Sequence, residues 1–521
     1  MVILAAYFAG MLALGLVFAR RQKSTEEFFL AGRRIPVWAA AISIVGVSAA
    51  TFIGAPQDAY TGNLTYLSSN LAYFLAVAIV ALFFVPAYFA RGISTVYQLL
   101  EHRFGPGARR SAAGAFLLGR LLASGARLYI AAIPLALILF GEALTARDLI
   151  IAVAVVAGVA TLYTLLGGLD AVIWTDVAQT LLFIGAAVVA IVLLLHRIPL
   201  GAGEIGRLLA ETRVADGSSK LTVLDTRFSM STDWNLWSAV LGLTLFNLAV
   251  VATDQDIAQR LLTFRSARRS SLSVFLSGFV GLLIALVFLV IGHLLYVYYR
   301  RPDVMGAAAP PAPPDDTRTV FLTFIFTESP AGIRGLMLAG LFAGAMGALA
   351  SSQAAMASTV VNDFYVPLRS RTPAHAEPPG AQASQKHLLL VSRCMVVVWG
   401  ALLTGFAVLC ILWQSSAKEK LIPFAMGVMI YAYSGLLAIF LTAVFTRRGS
   451  SASCIAAIIT GILAAAALEF IPKALAAQRP GETFIKLSLG WRMLFATLAA
   501  FAVCILPAQR REPASPAPNA P

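Results

Sequence analysis

Apolar runs of about 20 residues, divided by short polar segments, recur along the whole chain. The hydrocarbon core of a bilayer is about 30 Å thick, so each run is long enough to cross it as a helix. A helix satisfies its own backbone polar groups, which lipid cannot do. The pattern therefore predicts an all-α polytopic membrane protein with about 13 transmembrane helices. The predicted spans are residues 1–19, 36–60, 68–90, 112–140, 147–166, 171–195, 235–258, 271–298, 320–360, 389–413, 421–446, 452–472 and 490–508.

Composition agrees with this pattern. Mean hydropathy is +0.82 and only 12% of residues are charged, which is unlike a soluble protein. We predict a single transmembrane domain over residues 1–508 and a disordered cytoplasmic tail at 509–521. The four cysteines have neither metal-ligand nor disulfide-framework spacing.

The formal net charge of +14 is explained by where the basic residues lie. If the spans alternate, the basic connections share one side, which the positive-inside rule makes cytoplasmic. This predicts a multi-pass protein of the plasma (inner) membrane with its N-terminus outside, and no nucleic-acid partner. The sequence makes no prediction of oligomeric state. The basic residues in these connections are Arg20, Arg21, Lys23, Arg33, Arg34, Arg91, Arg103, Arg109, Arg110, Arg260, Arg265, Arg268, Arg269, Arg369, Arg371, Lys386, Arg447, Arg448, Arg510 and Arg511.

Two predicted spans carry glycine or proline inside an apolar run. One is "AISIVGVSAATFIGAPQDAY", with Gly46, Gly54 and Pro56, and the other is "VLGLTLFNLAVVATDQDIAQR", with Gly242 and Asn247. Transporters bind solutes where interrupted helices expose backbone groups near the membrane centre, so we predict two broken helices. Close packing of helices is the alternative reason for each glycine.

The two broken segments each open a group of five predicted spans. These core repeats cover roughly residues 36–195 and 235–446. An odd number of spans in each group would invert one repeat relative to the other.

The stretch "LASSQAAMASTVVNDFY" places hydroxyl groups inside an apolar helix. Ser351, Ser358 and Asn362 fall on one face, and Ser352 and Thr359 on the adjacent one. Such a face suits a hard alkali cation, which prefers oxygen ligands. Alternatively, the serines bond back to carbonyls of their own helix.

Five ordered motifs resemble the sodium/solute symporter family, and together they cover nearly the whole chain. The resemblance implies a LeuT-type 5+5 inverted repeat with two broken helices, and a sodium ion coupled to a small-molecule solute. The motifs are "STEEFFLAGRRIPVWAAAIS" (24–43), "TVYQLLEHRFG" (95–105), "GGLDAVIWTDVAQ" (167–179), "DQDIAQR" (254–260) and "ASSQAAMASTVVNDFY" (350–365).

The resemblance also implies a set of sodium ligands. These are Ala348, Ser351 and Ser352 on the hydroxyl-rich helix, with backbone oxygens of Ile44 and Val47 on the first broken helix.

Asp176, in "WTDVAQ", lies in or at the edge of a predicted span. Acids at membrane depth are costly and usually functional, and in the family the matching acid supports ion coupling. An ion pair with a nearby arginine is the alternative.

The solute positions implied by the family are Ala50, Thr51, Ser69, Asn247 and Val250. Sugar-carrying members place polar groups at the first two of these positions and a tyrosine at Val250. A carboxylate or amino-acid-like solute is therefore favoured over a sugar. The stretch "SAATFIGAPQDAY" (48–60) resembles the monocarboxylate, iodide and vitamin branch of the family.

Arg127 lies deep in the span that begins after Arg110, about 25 Å along a helix that rises 1.5 Å per residue. A buried guanidinium needs an anion, and an arginine binds a carboxylate with a forked pair of hydrogen bonds. Arg127 is thus a candidate ligand for an anionic solute. Pairing with a protein acid or reaching towards an interface is the structural alternative.

These features predict a sodium-coupled secondary transporter that imports a small organic solute by alternating access. No nucleophile–base constellation or phosphate-binding loop is present in the sequence, so no catalytic residue and no enzyme activity is predicted. The alternatives are a membrane sensor, or an uncoupled channel or uniporter with the same fold.

The predicted topology is testable with reporter tags. Tags inserted within 196–233 or 301–319 should report outside, and tags within 369–386 or at the C-terminus should report inside. A C-terminal tag that reports outside would overturn the predicted orientation.

Overall fold

The computed structural model describes residues 31–141, 144–310, 316–369, 381–417, 421–478 and 486–506, with isolated residues between 3 and 13. In this part of the chain every regular element is helical, and one bridge pairs Arg213 with Ser219. The helices are α1 (Val37–Val45), α2 (Ala49–Thr61), α3 (Ser68–Ile79, continued by Val80–Phe84 and Val85–Phe89), α4 (Tyr97–Phe104), α5 (Pro106–Phe140), α6 (Ala146–Arg197), α7 (Ala202–Glu211), α8 (Ser238–Thr253), α9 (Gln255–Leu261), α10 (Ala267–Arg300), α11 (Val320–Glu328), α12 (Ala331–Thr359, continued by Val360–Tyr365 and Val366–Arg369), α13 (Ala381–Ala417), α14 (Leu421–Phe445), α15 (Ser451–Gln478) and α16 (Leu489–Ile505). Short helical turns lie at Ala31–Arg33, Thr65–Leu67, Pro302–Met305, Gly306–Ala308 and Thr317–Thr319.

The predicted all-α membrane architecture is confirmed. Within the described ranges, eight helices are long and apolar enough to cross a bilayer, or ten if each of two bent pairs counts as one span. The predicted count of 13 is not established. Most of the span at 1–19 lies outside the described residues, two predicted spans form the single helix α6, and α16 has only 17 residues. Residues 370–380 of the segment predicted to face the cytoplasm (369–386) and the whole tail at 509–521 also lie outside the described residues, and α13 begins at Ala381 within that segment.

Two predicted span boundaries differ from the structure. α6 runs for 52 residues through the predicted break between 147–166 and 171–195. This stretch contains glycines but no proline, and a helix interior tolerates glycine at a cost of only about 1 kcal/mol. The predicted span 320–360 is divided at Ser329 and Pro330. The residue before a proline is pushed towards extended conformations, and Ser329 adopts one.

The first predicted broken helix is confirmed. α1 and α2 meet at 63°, and the chain turns at Gly46, whose φ of +58° favours glycine. Ser48 caps α2 by accepting a hydrogen bond from the Thr51 N–H at 3.4 Å. Gly54 and Pro56 lie inside α2 and do not interrupt it. The segment Gly46–Ser48 is called the first break below.

The second broken helix is also confirmed, but its interruption is not at a glycine. α8 and α9 meet at 62° around Asp254, which is extended and caps α9. This site is called the second break below. Gly242 instead lets α8 approach α16, because a Cβ there would lie 2.0 Å from the Gly490 carbonyl oxygen. The packing alternative therefore holds for Gly242.

α2 is anchored in the core by Phe52. Its ring packs against Phe183 of α6, Phe288 of α10 and Phe321 of α11, with ring centroids 5.0 to 5.3 Å apart. These four side chains are fully buried. The contacts hold the segment after the first break against three other helices.

Lys220 joins the loop after α7 to the end of α2. Its buried ammonium group donates hydrogen bonds to the carbonyls of Ala59, Tyr60 and Gly62 at 2.8 to 3.0 Å. It also lies 3.9 Å from the ring centre of Tyr296 on α10. A cation at a helix C-terminus is favourable, and here it also satisfies carbonyls that the helix leaves without partners.

We expect Lys220→Met to lower thermal stability in detergent. The methionine keeps the volume but leaves buried carbonyls without a donor, at a cost of about 1–3 kcal/mol for each one that finds no water. Lys473→Met is the matched control, because the Lys473 side chain is 43% exposed and forms an i,i+4 pair with Glu469. Equal melting temperatures for the two variants would contradict the anchoring role.

Candidate ion and solute site

A cavity of about 260 Å³, called the central cavity below, lies between the two breaks. α3, α5, α6, α10, α12 and α14 complete its walls. It brings together eleven of the twelve predicted site residues, and Ser352 is the exception. Those that line it are Ile44, Val47, Ala50, Thr51, Ser69, Arg127, Asp176, Asn247, Val250, Ala348 and Ser351.

The hydroxyl-rich face of α12 points its serines at the central cavity and at α5. The Ser351 hydroxyl can donate a hydrogen bond to the Ala348 carbonyl oxygen or to the Asp256 carboxylate, each of which lies 3.2 Å away. Ser352 is fully buried, donates to the Ala348 carbonyl at 2.7 Å, and accepts from Ser124 of α5 at 2.7 Å. The back-bonding alternative is thus observed, and the Ser351 oxygen keeps two lone pairs and the Ser352 oxygen one for a cation.

The first break supplies backbone oxygens. Ile44 and Val47 line the central cavity, and no described residue donates a hydrogen bond to either carbonyl. Gly344 brings α12 close to this break, because a Cβ there would lie 3.4 Å from the Ser48 carbonyl carbon. Unpaired carbonyls facing a hydroxyl-rich helix are a donor set that fits a small hard cation.

At the second break, tyrosine hydroxyls satisfy the backbone carbonyls. The Tyr88 hydroxyl donates to the Ala252 carbonyl at 2.5 Å, and the Tyr97 hydroxyl donates to the Thr253 carbonyl at 3.0 Å. Both tyrosines are fully buried. The carbonyls on the α8 side of this break therefore have protein partners, whereas those of the first break are open to a ligand.

A buried charge network connects α9 with α5 and α6. Asp256 pairs with Arg120 and, at 2.5 Å, with Arg260. Arg260 reaches Asp176 at 3.0 Å and donates to Ser43 at 2.6 Å, and Ser43 donates to Asp176 at 2.6 Å. Ion pairs replace hydration in such a place, where an unpaired charge would be costly.

Two findings follow for Asp176 and Arg260. Asp176 forms an ion pair with an arginine, which was the alternative to a coupling role, and it also lines the central cavity. Arg260 is only 1% exposed and lies inside the protein, so it is not part of a basic loop that signals topology.

Asp254 extends the same network behind Arg120. Its carboxylate lies 3.2 Å from the Arg120 guanidinium, and it accepts a hydrogen bond from Tyr433 of α14. It also accepts from the Asp256 N–H at 2.9 Å, which caps α9. The position of the short α9 is therefore set by charge pairs as well as by apolar packing.

Arg127 has no such partner. No described carboxylate lies within 4 Å of its guanidinium, and its one hydrogen bond is to the Met429 sulfur at 3.9 Å. It lines the central cavity and is partly exposed there. Among the five arginine and aspartate residues that line this cavity, Arg127 alone has its charge left without a protein counter-ion.

Sequence reasoning missed several residues of the site. The network needs Arg120, Asp254, Asp256 and Arg260, and the motif "DQDIAQR" already placed the last three in an apolar segment. Ser124, by contrast, carried no signal, because its role depends on which helix faces Ser352.

A helical membrane protein with two interrupted helices around a central cavity belongs to the class of secondary transporters. The model of the sodium:solute symporter family matches residues 28–461. The chain belongs to this family, which confirms the resemblance in its motifs.

Relatives in this family cover most of the chain. A sodium/sialic acid symporter of Proteus mirabilis is 27% identical over 90% of this chain and 89% of its own length. The human sodium-coupled monocarboxylate transporter 1 is 28% identical over 80% of this chain and 66% of its own.

A solved structure of a Na⁺-coupled sialic acid symporter, in a substrate-bound outward-open state, has a TM-score of 0.77 to this chain. It is 26% identical and covers 97% of this chain and 96% of the other. The predicted LeuT-type fold is thereby confirmed. The protein is a multi-pass sodium/solute symporter and not an enzyme, and sodium is its coupling ion.

Proposed function

We propose that the protein imports a small organic acid together with sodium across the plasma membrane. The observation that carries this proposal is that the Arg127 guanidinium faces the central cavity without an ion-pair partner among the described residues. A solute carboxylate would supply the missing counter-ion, and arginine suits a planar carboxylate because its donors form a fixed fork. The sialic acid and monocarboxylate carried by the named relatives both contain a carboxylate group.

The proposed sodium ligands are the carbonyls of Ile44, Val47 and Ala348 and the hydroxyls of Ser351 and Ser352. Support comes from the unpaired carbonyls of the first break and from the serines of the helix beside it. The Ser351 hydroxyl also reaches the Asp256 carboxylate, which brings negative charge to the site.

Asp176 supports coupling by a route through Arg260. It faces the central cavity and holds the arginine that pairs with Asp256. A cation bound beside Ser351 changes the field on this network, and the network fixes α9. Alternating access then follows as the broken helices and their neighbours rock against the remaining helices.

The proposed solute contacts other than Arg127 are Ala50, Thr51, Ser69, Asn247 and Val250, all on the wall of the central cavity. The proposed orientation has the N-terminus outside and the C-terminus in the cytoplasm. The proposed domain organisation remains one transmembrane domain over 1–508 with two inverted core repeats.

We expect the Ser351→Ala, Ser352→Ala double variant to need at least tenfold more sodium for half-maximal uptake. Each tenfold change corresponds to about 1.4 kcal/mol of lost binding, which two missing hydroxyl ligands readily account for. The measurement is solute uptake into proteoliposomes over a range of sodium concentrations.

The matched control is Ser273→Ala with Ser392→Ala, which removes two buried hydroxyls that bond only to their own helices. This control should keep the wild-type sodium dependence. An unchanged sodium requirement in a well-folded Ser351, Ser352 variant would exclude these serines as ligands.

Substitution of Arg127 separates solute binding from structural pairing. Arg127→Lys keeps the charge but loses the fork, so we expect at least tenfold weaker binding of an acid, and weaker still for Arg127→Ala. Binding of the matching amide should change little. The measurements are affinity for an acid and its amide at saturating sodium, and thermal stability without ligand.

Arg127 has no ion-pair partner among the described residues, so its removal leaves none of their carboxylates unpaired and should not cost the 3–5 kcal/mol typical of a broken pair. A large loss of stability, or an equal loss of acid and amide binding, would remove Arg127 from the solute site.

A further inference from the structure

The carboxylates in the wall of the central cavity already form ion pairs with arginines. Asp256 pairs with Arg120 and Arg260, and Asp176 pairs with Arg260. No other described acid lines this cavity. A solute ammonium group would therefore find no carboxylate that is free of a guanidinium partner, whereas a solute carboxylate finds Arg127.

Sodium strengthens this preference. A cation bound near Ser351 adds positive charge to a cavity that three arginines and two aspartates line. The added charge attracts an anion through the low-dielectric interior and repels an ammonium group. Bound sodium should therefore raise the affinity for a monoanion. For a zwitterion, the attraction of its carboxylate is offset by the repulsion of its ammonium group.

The polar side chains in the wall offer few groups to a polyhydroxylated solute. The hydroxyls of Ser48 and Thr51 lie 3.3 Å apart and bond to each other. The Asn247 amide donates to the Leu243 carbonyl at 3.0 Å within its own helix. Asn70 and Thr180 have no hydrogen bond to any described residue, so the Asn70 amide and the Thr180 hydroxyl are the clear additions to Arg127.

The hydroxyl of Tyr73, which also lines the central cavity, already has a hydrogen-bond partner. The hydroxyls of Tyr73 and Ser277 bond to each other at 2.8 Å across α3 and α10. A solute with many hydroxyls would need a partner for each, because a buried polar group without one costs about 1–3 kcal/mol.

Apolar side chains form another part of the cavity wall. Met429 touches Arg127, and Phe246, Val250, Ile422 and Met426 line the same cavity. Apolar surface of this kind stabilises a hydrocarbon body at roughly 25 cal/mol per Å² buried.

We propose that the solute is a monocarboxylate with an apolar body, and neither an amino acid nor a polyhydroxylated acid such as sialic acid. This inference rests on the proposed function, because it takes Arg127 as the carboxylate ligand. It further assigns Val250 as a residue that selects for the apolar body.

The test uses four compounds with one carbon skeleton. They are 3-methylbutanoate, its 2-amino derivative valine, its 2,3-dihydroxy derivative, and its amide; N-acetylneuraminate and straight-chain acids of three to eight carbons are added for size. Affinity is measured by thermal stabilisation of the purified full chain at saturating sodium, and by competition for uptake. We expect an apolar acid to bind at least tenfold more tightly than valine and the dihydroxy acid.

The outcomes separate the inference from the proposed function. Equal binding of 3-methylbutanoate and its amide would contradict carboxylate recognition and hence the proposed function. Acid binding that is matched or exceeded by valine, the dihydroxy acid or N-acetylneuraminate would overturn the inference alone. Failure of every apolar acid to bind in a sodium-dependent manner would also overturn it.

A variant tests the assignment of Val250. Val250→Thr keeps the shape and adds a hydroxyl, so the ratio of apolar-acid to dihydroxy-acid affinity should fall at least threefold. Val287→Thr on α10 is the matched control, because Val287 lies outside the central cavity. An affinity ratio that is unchanged in Val250→Thr would remove Val250 from solute selection.

Discussion

An interrupted helix inside a bilayer exposes carbonyl groups that lipid cannot satisfy, and this constraint governs the centre of the molecule. The chain meets it in two ways. At the second break, Tyr88 and Tyr97 donate hydroxyls to the carbonyls of Ala252 and Thr253. At the first break, the carbonyls of Ile44 and Val47 have no donor among the described residues. One interruption is thus completed by protein, and the other is left for a ligand.

The arginines that line the central cavity differ in a similar way. Arg120 and Arg260 are held by Asp176, Asp254 and Asp256, which together fix the short α9. The guanidinium of Arg127 has no carboxylate partner in the part of the chain that the structure describes. Because burying an unpaired charge is costly, its position makes sense where an anionic solute arrives.

Much of this architecture could be predicted from the chain. Apolar runs gave the helical membrane fold, and Gly46 marked a break because a positive φ was needed there. The second break was harder to place, since Asp254 interrupts the helix by capping α9 and Gly242 only packs against Gly490. The partners of Ser352 and Arg260 could not be found from one helix at a time, because they depend on which helices meet.

The two proposed ligands stabilise each other through the site that they share. Sodium at the first break would satisfy the carbonyls of Ile44 and Val47 and add positive charge near Ser351. That charge lowers the cost of bringing a carboxylate to Arg127, and the carboxylate lowers the cost of bringing sodium. By linkage, each ligand must raise the affinity for the other by the same factor. Coupling then needs no separate device, because one helix break and one arginine, neither with a partner among the described residues, face a single cavity.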